Sequence, residues 1–241
     1  MPQVTDGVYF IPGQDDFIPD SHVYLIGKPD SGDLSMIDAG LMGKGAYKVK
    51  SIQDFGIPLE DVKRVIMSHT HLDHIGCLGE IKQTMPWVEL WVHESEADPL
   101  ESGDERIVHG MEMFRAMVQD QYHVKPGDFT FRVDRKLRDA ERLEIGGMAW
   151  EVLHVPGHSA GSIALYGAGK RILIPGDTVY ADYAIGRFDL HSASGTALKE
   201  SLERLAGLDV DLLLPGHNRI MTGVPDGYIT ETVRQWGPYL V

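Results

Sequence analysis

The sequence predicts an α/β fold in which helices cover the faces of sheets. Strand-like apolar runs and helix-like periodicities alternate along both halves of the chain. Four of the strand-like runs end in a short turn that carries histidine or aspartate. At 241 residues, 43% of them hydrophobic, the chain is long enough to bury a sizeable core. It shows no linker, low-complexity run or short repeat. One domain over residues 1–241 is the simplest organisation.

Val8–Ile11, His22–Ile26 and Leu34–Ile37 are rich in β-formers and separated by Gly, Pro, Asp and Ser, which predicts three short strands. A helix is expected from about Ala46 to Phe55, closed by Gly56 and by Pro58 beyond it. Val62–Met67 reads as a strand running into Ser68, a helix is expected over His74 to Met85, and Val88–Val92 as a further strand. From Glu94 to Tyr122 the pattern changes: Ile107, Met111, Phe114, Met117 and Val118 recur at helical spacing. This predicts a helical insertion around residues 94–125, lying over one edge of the fold. Strands return at Leu143–Ile145, Ala149–Val155, Ser162–Tyr166, Arg171–Ile174 and Leu212–Leu214. Helices are expected near Thr196–Leu205 and Tyr228–Trp236.

Composition removes several classes of function. The formal charge is −14, and the densest basic stretch, Arg132 to Arg142, is broken by Asp134, Asp139 and Glu141. A nucleic-acid partner, which needs a basic face, is not expected. The longest apolar runs are too short to cross a bilayer, so no membrane partner is expected. Met1 to Phe10 lacks the pattern of an export leader. Cys77 is the single cysteine and reads as a small buried hydrophobe in a cytoplasmic protein.

The densest chemistry is His69-Thr70-His71-Leu72-Asp73-His74, three imidazoles and a carboxylate directly after an apolar strand. These are the groups that zinc and similar divalent ions prefer. Three further polar residues follow strand ends through a Pro-Gly turn: His158 after Pro156-Gly157, Asp177 after Pro175-Gly176, and His217 after Pro215-Gly216. Pro-Gly turns a chain sharply and lets backbones approach closely. Loops converging from one sheet edge are where α/β proteins build sites.

In these residues the chain resembles the metallo-β-lactamase superfamily over nearly its whole length. The family pattern is an early Asp, H-x-H-x-D-H, then His, Asp and a final His. The chain has Asp38, His69, His71, Asp73, His74, His158, Asp177 and His217 in that order. The resemblance implies a four-layer αββα sandwich with metals at one edge of the sheets. It implies that His69, His71 and His158 bind one metal, that Asp73, His74 and His217 bind a second, and that Asp177 bridges them. Asp38 is then not a ligand but a buried support that hydrogen-bonds the metal-binding loop. The implied cofactors are two divalent ions, zinc first, with iron or manganese left open. Such a pair, about 3.5–4 Å apart, lowers the pKa of a shared water towards about 7, and the resulting bridging hydroxide attacks an electrophilic carbon or phosphorus. No G-x-S-x-G nucleophile elbow competes with that reading.

Tyr180, three residues after Asp177, is similar to the tyrosine that dinuclear lactonases carry at this offset, where the phenol faces substrate. A half-buried packing aromatic is the other reading. His22 and His191 are expected in surface or packing roles, His154 as a packed strand histidine, and His93, His109 and His123 form no pattern. Asp177 separates the chain from zinc β-lactamases, which resemble the fold but carry Cys or Ser there. His71 separates it from flavodiiron oxygen reductases. Gly186-Arg187-Phe188-Asp189-Leu190 is glyoxalase II-like, yet only 24 residues follow His217, too few for a glutathione-binding helical domain. The expected function is hydrolysis of a small carboxylic ester, lactone or thioester, with Asp73, Asp177 and Tyr180 as catalytic residues. Phosphodiester or phosphotriester hydrolysis is the runner-up. An iron-dependent oxygen-using enzyme or a non-catalytic metal-binding protein represents a different class. The expected partner is a small-molecule substrate, with a homodimer left open.

Overall fold

The computed structural model describes residues 3–14 and 19–241. Met1 and Pro2, the head of the segment read for an export leader, lie outside it. Up to residue 137 the chain builds a seven-stranded sheet in sequential order: β1 (Gln3–Thr5), β2 (Val8–Ile11), β3 (Val23–Ile26), β4 (Leu34–Ile37), β5 (Val62–Ile66), β6 (Glu89–His93) and β7 (Arg135–Leu137). The strands from β1 to β4 pair antiparallel, and those from β4 to β7 pair parallel. A six-stranded sheet follows, made of β8 (Arg142–Ile145), β9 (Met148–His154), β10 (Ile163–Gly167), β11 (Ile172–Gly176), β12 (Leu212–Pro215) and β13 (Met221–Thr222), with β11 and β12 its one parallel pair. The helices are α1 (Gly45–Asp54), α2 (Leu72–Ile75), α3 (Leu78–Thr84), α4 (Glu94–Ser102), α5 (Arg106–His109), α6 (Glu112–Tyr122), α7 (Gly195–Leu205) and α8 (Tyr228–Trp236).

The two-residue period of the strands sorts their side chains into separate cores. Tyr24 and Ile26 of β3, Ile66 of β5 and Trp91 of β6 face Trp150, Val152, Leu165, Ile174 and Leu214 of the second sheet. Their neighbours Leu25, Val65 and Leu90 pack instead beneath Ile52, Ile81 and Leu100 of α1, α3 and α4. On the far side, Leu153, Leu173 and Leu213 meet Leu198, Leu202 and Ile229 of α7 and α8. The result is helices, sheet, sheet, helices: a four-layer αββα sandwich. Trp150, 2% exposed between the sheets, contributes on the order of 5 kcal/mol by burial alone.

Two local expectations differ from the fold. The helix expected over His74 to Met85 is broken into α2 and α3 at Gly76 and Cys77. The loop after β4 crosses there, close enough that a Cβ on Gly76 would lie 2.6 Å from Met42 N. Cys77 N donates to Gly40 O at 2.9 Å, and its thiol to Ala39 O. The edge strands β1, β7 and β13 were not expected, because two or three residues carry no measurable period. Cys77 is buried, which pushes its thiol pKa well up and keeps it inert. No helix among the described residues is long and apolar enough to cross a membrane.

One buried ion pair fixes the entrance to β3. Lys48 of α1 is fully buried and donates to Asp20 Oδ2 at 2.9 Å and to Ser21 O at 3.0 Å. Asp20 Oδ1 accepts from Leu41 N at 2.7 Å. Removing one partner of a buried pair leaves the other charge uncompensated. Asp20→Ala is therefore expected to lose about 3–5 kcal/mol in urea unfolding; a loss below about 1 kcal/mol would show that Lys48 reaches water.

Candidate metal centre

The centre is built from loops, and from the short helix α2, that follow the C-terminal ends of strands. Asp38 follows β4 and adopts a left-handed backbone (φ 63°), which turns its carboxylate towards the end of β5. There it accepts from Ser68 N at 2.7 Å and Ser68 Oγ at 2.8 Å. The chain continues through His69 and Thr70 to His71, whose extended backbone immediately precedes α2. Asp73 and His74 lie on α2 itself. His158 follows β9 through Gly157, at φ +138°, where a Cβ would lie 2.3 Å from the backbone of Leu198 on α7. Asp177 follows β11. His217 follows β12 through Gly216, where a Cβ would lie 2.2 Å from Asp177 Oδ1. The glycines are therefore required by close approach, in one case with a conformation that L side chains rarely adopt.

These turns bring seven side chains into two contiguous groups. His69, His71 and His158 form one; Asp73, His74, Asp177 and His217 form the other. Within each group the ligand-capable atoms lie within 4.8 Å of one another. Asp177 joins the two. Its Oδ2 is 3.6 Å from His158 Nε2 and 3.4 Å from His217 Nε2, and its Oδ1 is 3.3 Å from His74 Nε2. His217 Nε2 is also 2.9 Å from Asp73 Oδ2. His69 Nε2, His71 Nε2, His74 Nε2 and Asp177 Oδ1 are buried with no hydrogen-bond partner among the described residues. Buried polar atoms are normally satisfied, so convergent orphan nitrogens and a carboxylate oxygen fit divalent cations.

The electrostatics of His69 and His71 agree with that fit. Burial, reinforced by the neighbouring histidines, holds His69 well below its ordinary pKa and pushes His71 down to about 3. Both present neutral imidazole, the form that ligates. Against burial, which would lower it, Asp177, Asp38 and Asp73 raise His74 well above its usual value. Against burial, which would raise it, His217 and His74 hold the Asp177 carboxyl well below the usual range.

The backs of three of the imidazoles are satisfied by protein. His74 Nδ1 is 2.9 Å from Asp38 Oδ2, His69 Nδ1 is 3.1 Å from Ser68 Oγ, and His158 Nδ1 is 2.8 Å from Arg187 O. Such contacts set ring orientation and tautomer. Glu96, one of the residues missed by sequence reasoning, is 1% exposed on α4. Its Oε2 accepts from Thr70 N at 3.0 Å and Thr70 Oγ1 at 2.9 Å, and its Oε1 accepts from Gly161 N at 3.1 Å. One carboxylate thus clamps the His69–His71 loop to the His158 loop. Its one sequence signal is a glutamate two residues into a helix after a strand, which is common.

A cleft of about 810 Å³ opens over the centre. His71, Asp73, His158, Asp177, Tyr180 and His217 line its floor, and Val108, Phe114, Met117, Val118, Ile185 and Leu190 its walls. The Tyr180 ring lies 6.2 Å from that of His217. Burial and then the Asp177 carboxylate beside it hold its phenol well above the usual pKa, so it keeps its proton. His22 lies at the rim with both nitrogens engaged: Nδ1 accepts from Gly13 N, leaving Nε2 to donate to Asn218 O. His154 bonds Ala160 O and stacks on His93 at 4.0 Å. His191 lines a separate, neighbouring cleft.

A sequence profile of the metallo-beta-lactamase superfamily matches residues 19–217. A probable metallo-hydrolase of Bacillus subtilis (strain 168), YqgX, is 29% identical over 177 residues, covering 73% of this chain and 74% of the relative. A hydroxyacylglutathione hydrolase, GloC, of Haemophilus influenzae is 26% identical over 197 residues, covering 80% and 84%. The crystal structure of a metallo-beta-lactamase family protein from Thermus thermophilus superposes with a TM-score of 0.73 at 20% identity, covering 97% of this chain and 79% of that one. The chain belongs to the metallo-beta-lactamase superfamily, and its His/Asp cluster is the metal-binding cluster of a metal-dependent hydrolase.

The Glu96 clamp can be tested separately from the metal ligands. Gln at this position keeps one acceptor oxygen and turns an amide NH2 towards a donor. Glu96→Gln is expected to cost about 1–3 kcal/mol of stability. Metal affinity, read by competition with a chelating dye, should fall about ten- to a hundredfold. Unchanged affinity would reduce Glu96 to a loop tie without influence on the centre.

Proposed function

We propose that this chain hydrolyses a small carboxylic ester, lactone or thioester at a dinuclear metal centre. The observation that carries the reading is the set of orphaned, buried atoms of His69, His71, His74 and Asp177 in a cluster that forms part of the cleft's lining. His69, His71 and His158 would hold one ion; Asp73, His74 and His217 would hold the other; Asp177, in contact with both groups, would join them. When bound, such a pair activates water near neutral pH and polarises the carbonyl oxygen. Imidazole and carboxylate favour zinc first, and iron or manganese is chemically compatible.

The chain's own residues supply the rest. The apolar walls hold the acyl portion and exclude bulk water. Tyr180 keeps its proton beside Asp177 and can donate to the carbonyl oxygen as charge develops there. Asp73 is the more open of the two carboxylates in its group, 24% exposed against 5% for Asp177. Besides holding an ion, it would pass a proton to the leaving group. The arginine of the cleft, Arg187, is held by both oxygens of Asp189. No free cation among the cleft's described residues waits for a phosphate, which supports a carbonyl substrate over a phosphoester.

Three outcomes test this reading. Metal analysis of the protein is expected to give about two divalent ions per chain, and saturation at one ion would sink the dinuclear assignment. A large iron content with oxygen consumption would favour the oxygen-using class. Asp177→Asn preserves volume but removes the joining charge, and should lower turnover about a hundredfold or more. Tyr180→Phe should lower kcat about tenfold on lactones and esters without changing metal content, a smaller loss than for a lone oxyanion donor because a cation shares the same oxygen. Unaltered kcat would leave Tyr180 a packing residue.

A further inference from the structure

One wall of the cleft is apolar, built from Val108, Phe114, Met117, Val118 and Leu190. One polar ring interrupts it. His109, the last residue of α5, is 5% exposed and stands between this cleft and the neighbouring one that Glu105, Arg115 and His191 line, bordering both. Among the described residues neither of its ring nitrogens has a hydrogen-bond partner. Glu105 Oε2 stands 4.0 Å from Nε2, beyond hydrogen-bonding distance, and that oxygen faces Arg115 Nε at 3.5 Å. The other carboxylate oxygen accepts from Gly127 N. Phe129 packs edge-on against the imidazole at 5.7 Å. Burial lowers the pKa of His109, so the ring is neutral and offers one donor and one acceptor.

The position is held from two sides. The helix carrying His109 packs against α2, which bears Asp73 and His74. At its end, Gly110 O accepts from His191 N at 2.7 Å, tying it to the segment that follows Asp177. A buried polar group without a partner opposes folding, and an apolar side chain of similar volume would satisfy this wall better. Departures of this kind from local consistency mark functional positions.

We propose that His109 selects the substrate. The imidazole exchanges a hydrogen bond with a hydroxyl, keto or amide group carried on an otherwise apolar chain, while the reactive carbonyl of that molecule lies at the His/Asp cluster. The preferred substrate class is then an ester or lactone whose apolar chain bears one such polar group. This rests on the hydrolase reading given above.

The test uses the zinc-loaded full chain, an alkyl-substituted γ-lactone, and analogues with one hydroxyl, keto or amide group along the alkyl chain. The kcat/KM ratio of the best polar analogue to the plain lactone is measured for the wild type, His109→Leu and His109→Gln. Calorimetric affinities for the corresponding ring-opened acids give a second readout. The wild type should prefer a polar analogue. His109→Leu should reduce that preference about tenfold in both readouts, and His109→Gln should restore part of it. His109→Leu should melt at or above the wild-type temperature, which separates lost recognition from misfolding. An absent preference in the wild type, or one that survives in His109→Leu, overturns the proposal and leaves the ring met by water only. An equal loss on plain and polar compounds also overturns it. If no lactone is turned over but the acids bind with a His109-dependent preference, the lactone reading fails and the role of His109 stands. If neither turnover nor binding is seen, both fail.

Discussion

Seven imidazole and carboxylate side chains, five of them buried and Asp73 and His217 half-buried, converge at one edge of this molecule, and the rest of the structure answers that constraint. A buried polar group without a partner costs free energy of folding, and a buried charge costs more. The protein satisfies the backs of three rings itself. Asp38 meets His74, Ser68 meets His69, and the Arg187 carbonyl meets His158. The fronts are left open towards a common space, where His69, His74 and Asp177 keep unpartnered atoms. A rigid frame holds those atoms in place before a cation satisfies them, which is the usual relation between a scaffold and a strained site.

Strand direction explains why the frame takes this form. Pairs β4/β5 and β11/β12 are parallel, so Asp38 and His69 leave one edge together, as do Asp177 and His217. Strand β10 runs antiparallel to both β9 and β11, so β9 and β11 point the same way and His158 emerges beside Asp177. An antiparallel β11/β12 pair would send His217 to the opposite end of the sheet. The side-chain period then leaves each sheet with two apolar faces, which only the four-layer stack covers.

This logic also sets what was legible in the sequence. The six-residue His69–His74 string and the three Pro-Gly turns are local signals: each places ligand-type residues directly after an apolar run. The interleaving of strands and helices was readable for the same reason, and Tyr228–Trp236 was bounded correctly because its apolar face is regular. Contacts that depend on distant segments were not readable. Glu96 clamps Thr70 and Gly161 across 26 and 65 residues. His109 enters the cleft only because α5 docks on α2, and its neighbours in sequence show no reason for it. The break between α2 and α3 depends on a distant loop that crosses at Gly76, where a Cβ would meet Met42 N.

The chain thus divides its labour between two kinds of segment. None of the seven ligand-type residues comes from α5 or α6; those helices supply cleft wall and part of the neighbouring core. Conversely, the strand-end turns are so tightly packed that Gly157 and Gly216 leave no room for a Cβ. Changes among Val108, His109, Phe114 and Met117 can therefore reshape what the cleft accepts without moving a ligand, whereas changes at the turns cannot avoid doing so. Substrate range is free to vary on the helical wall while the hydrolytic centre stays constant, because the two are carried by separate stretches of backbone that touch where α5 packs on α2.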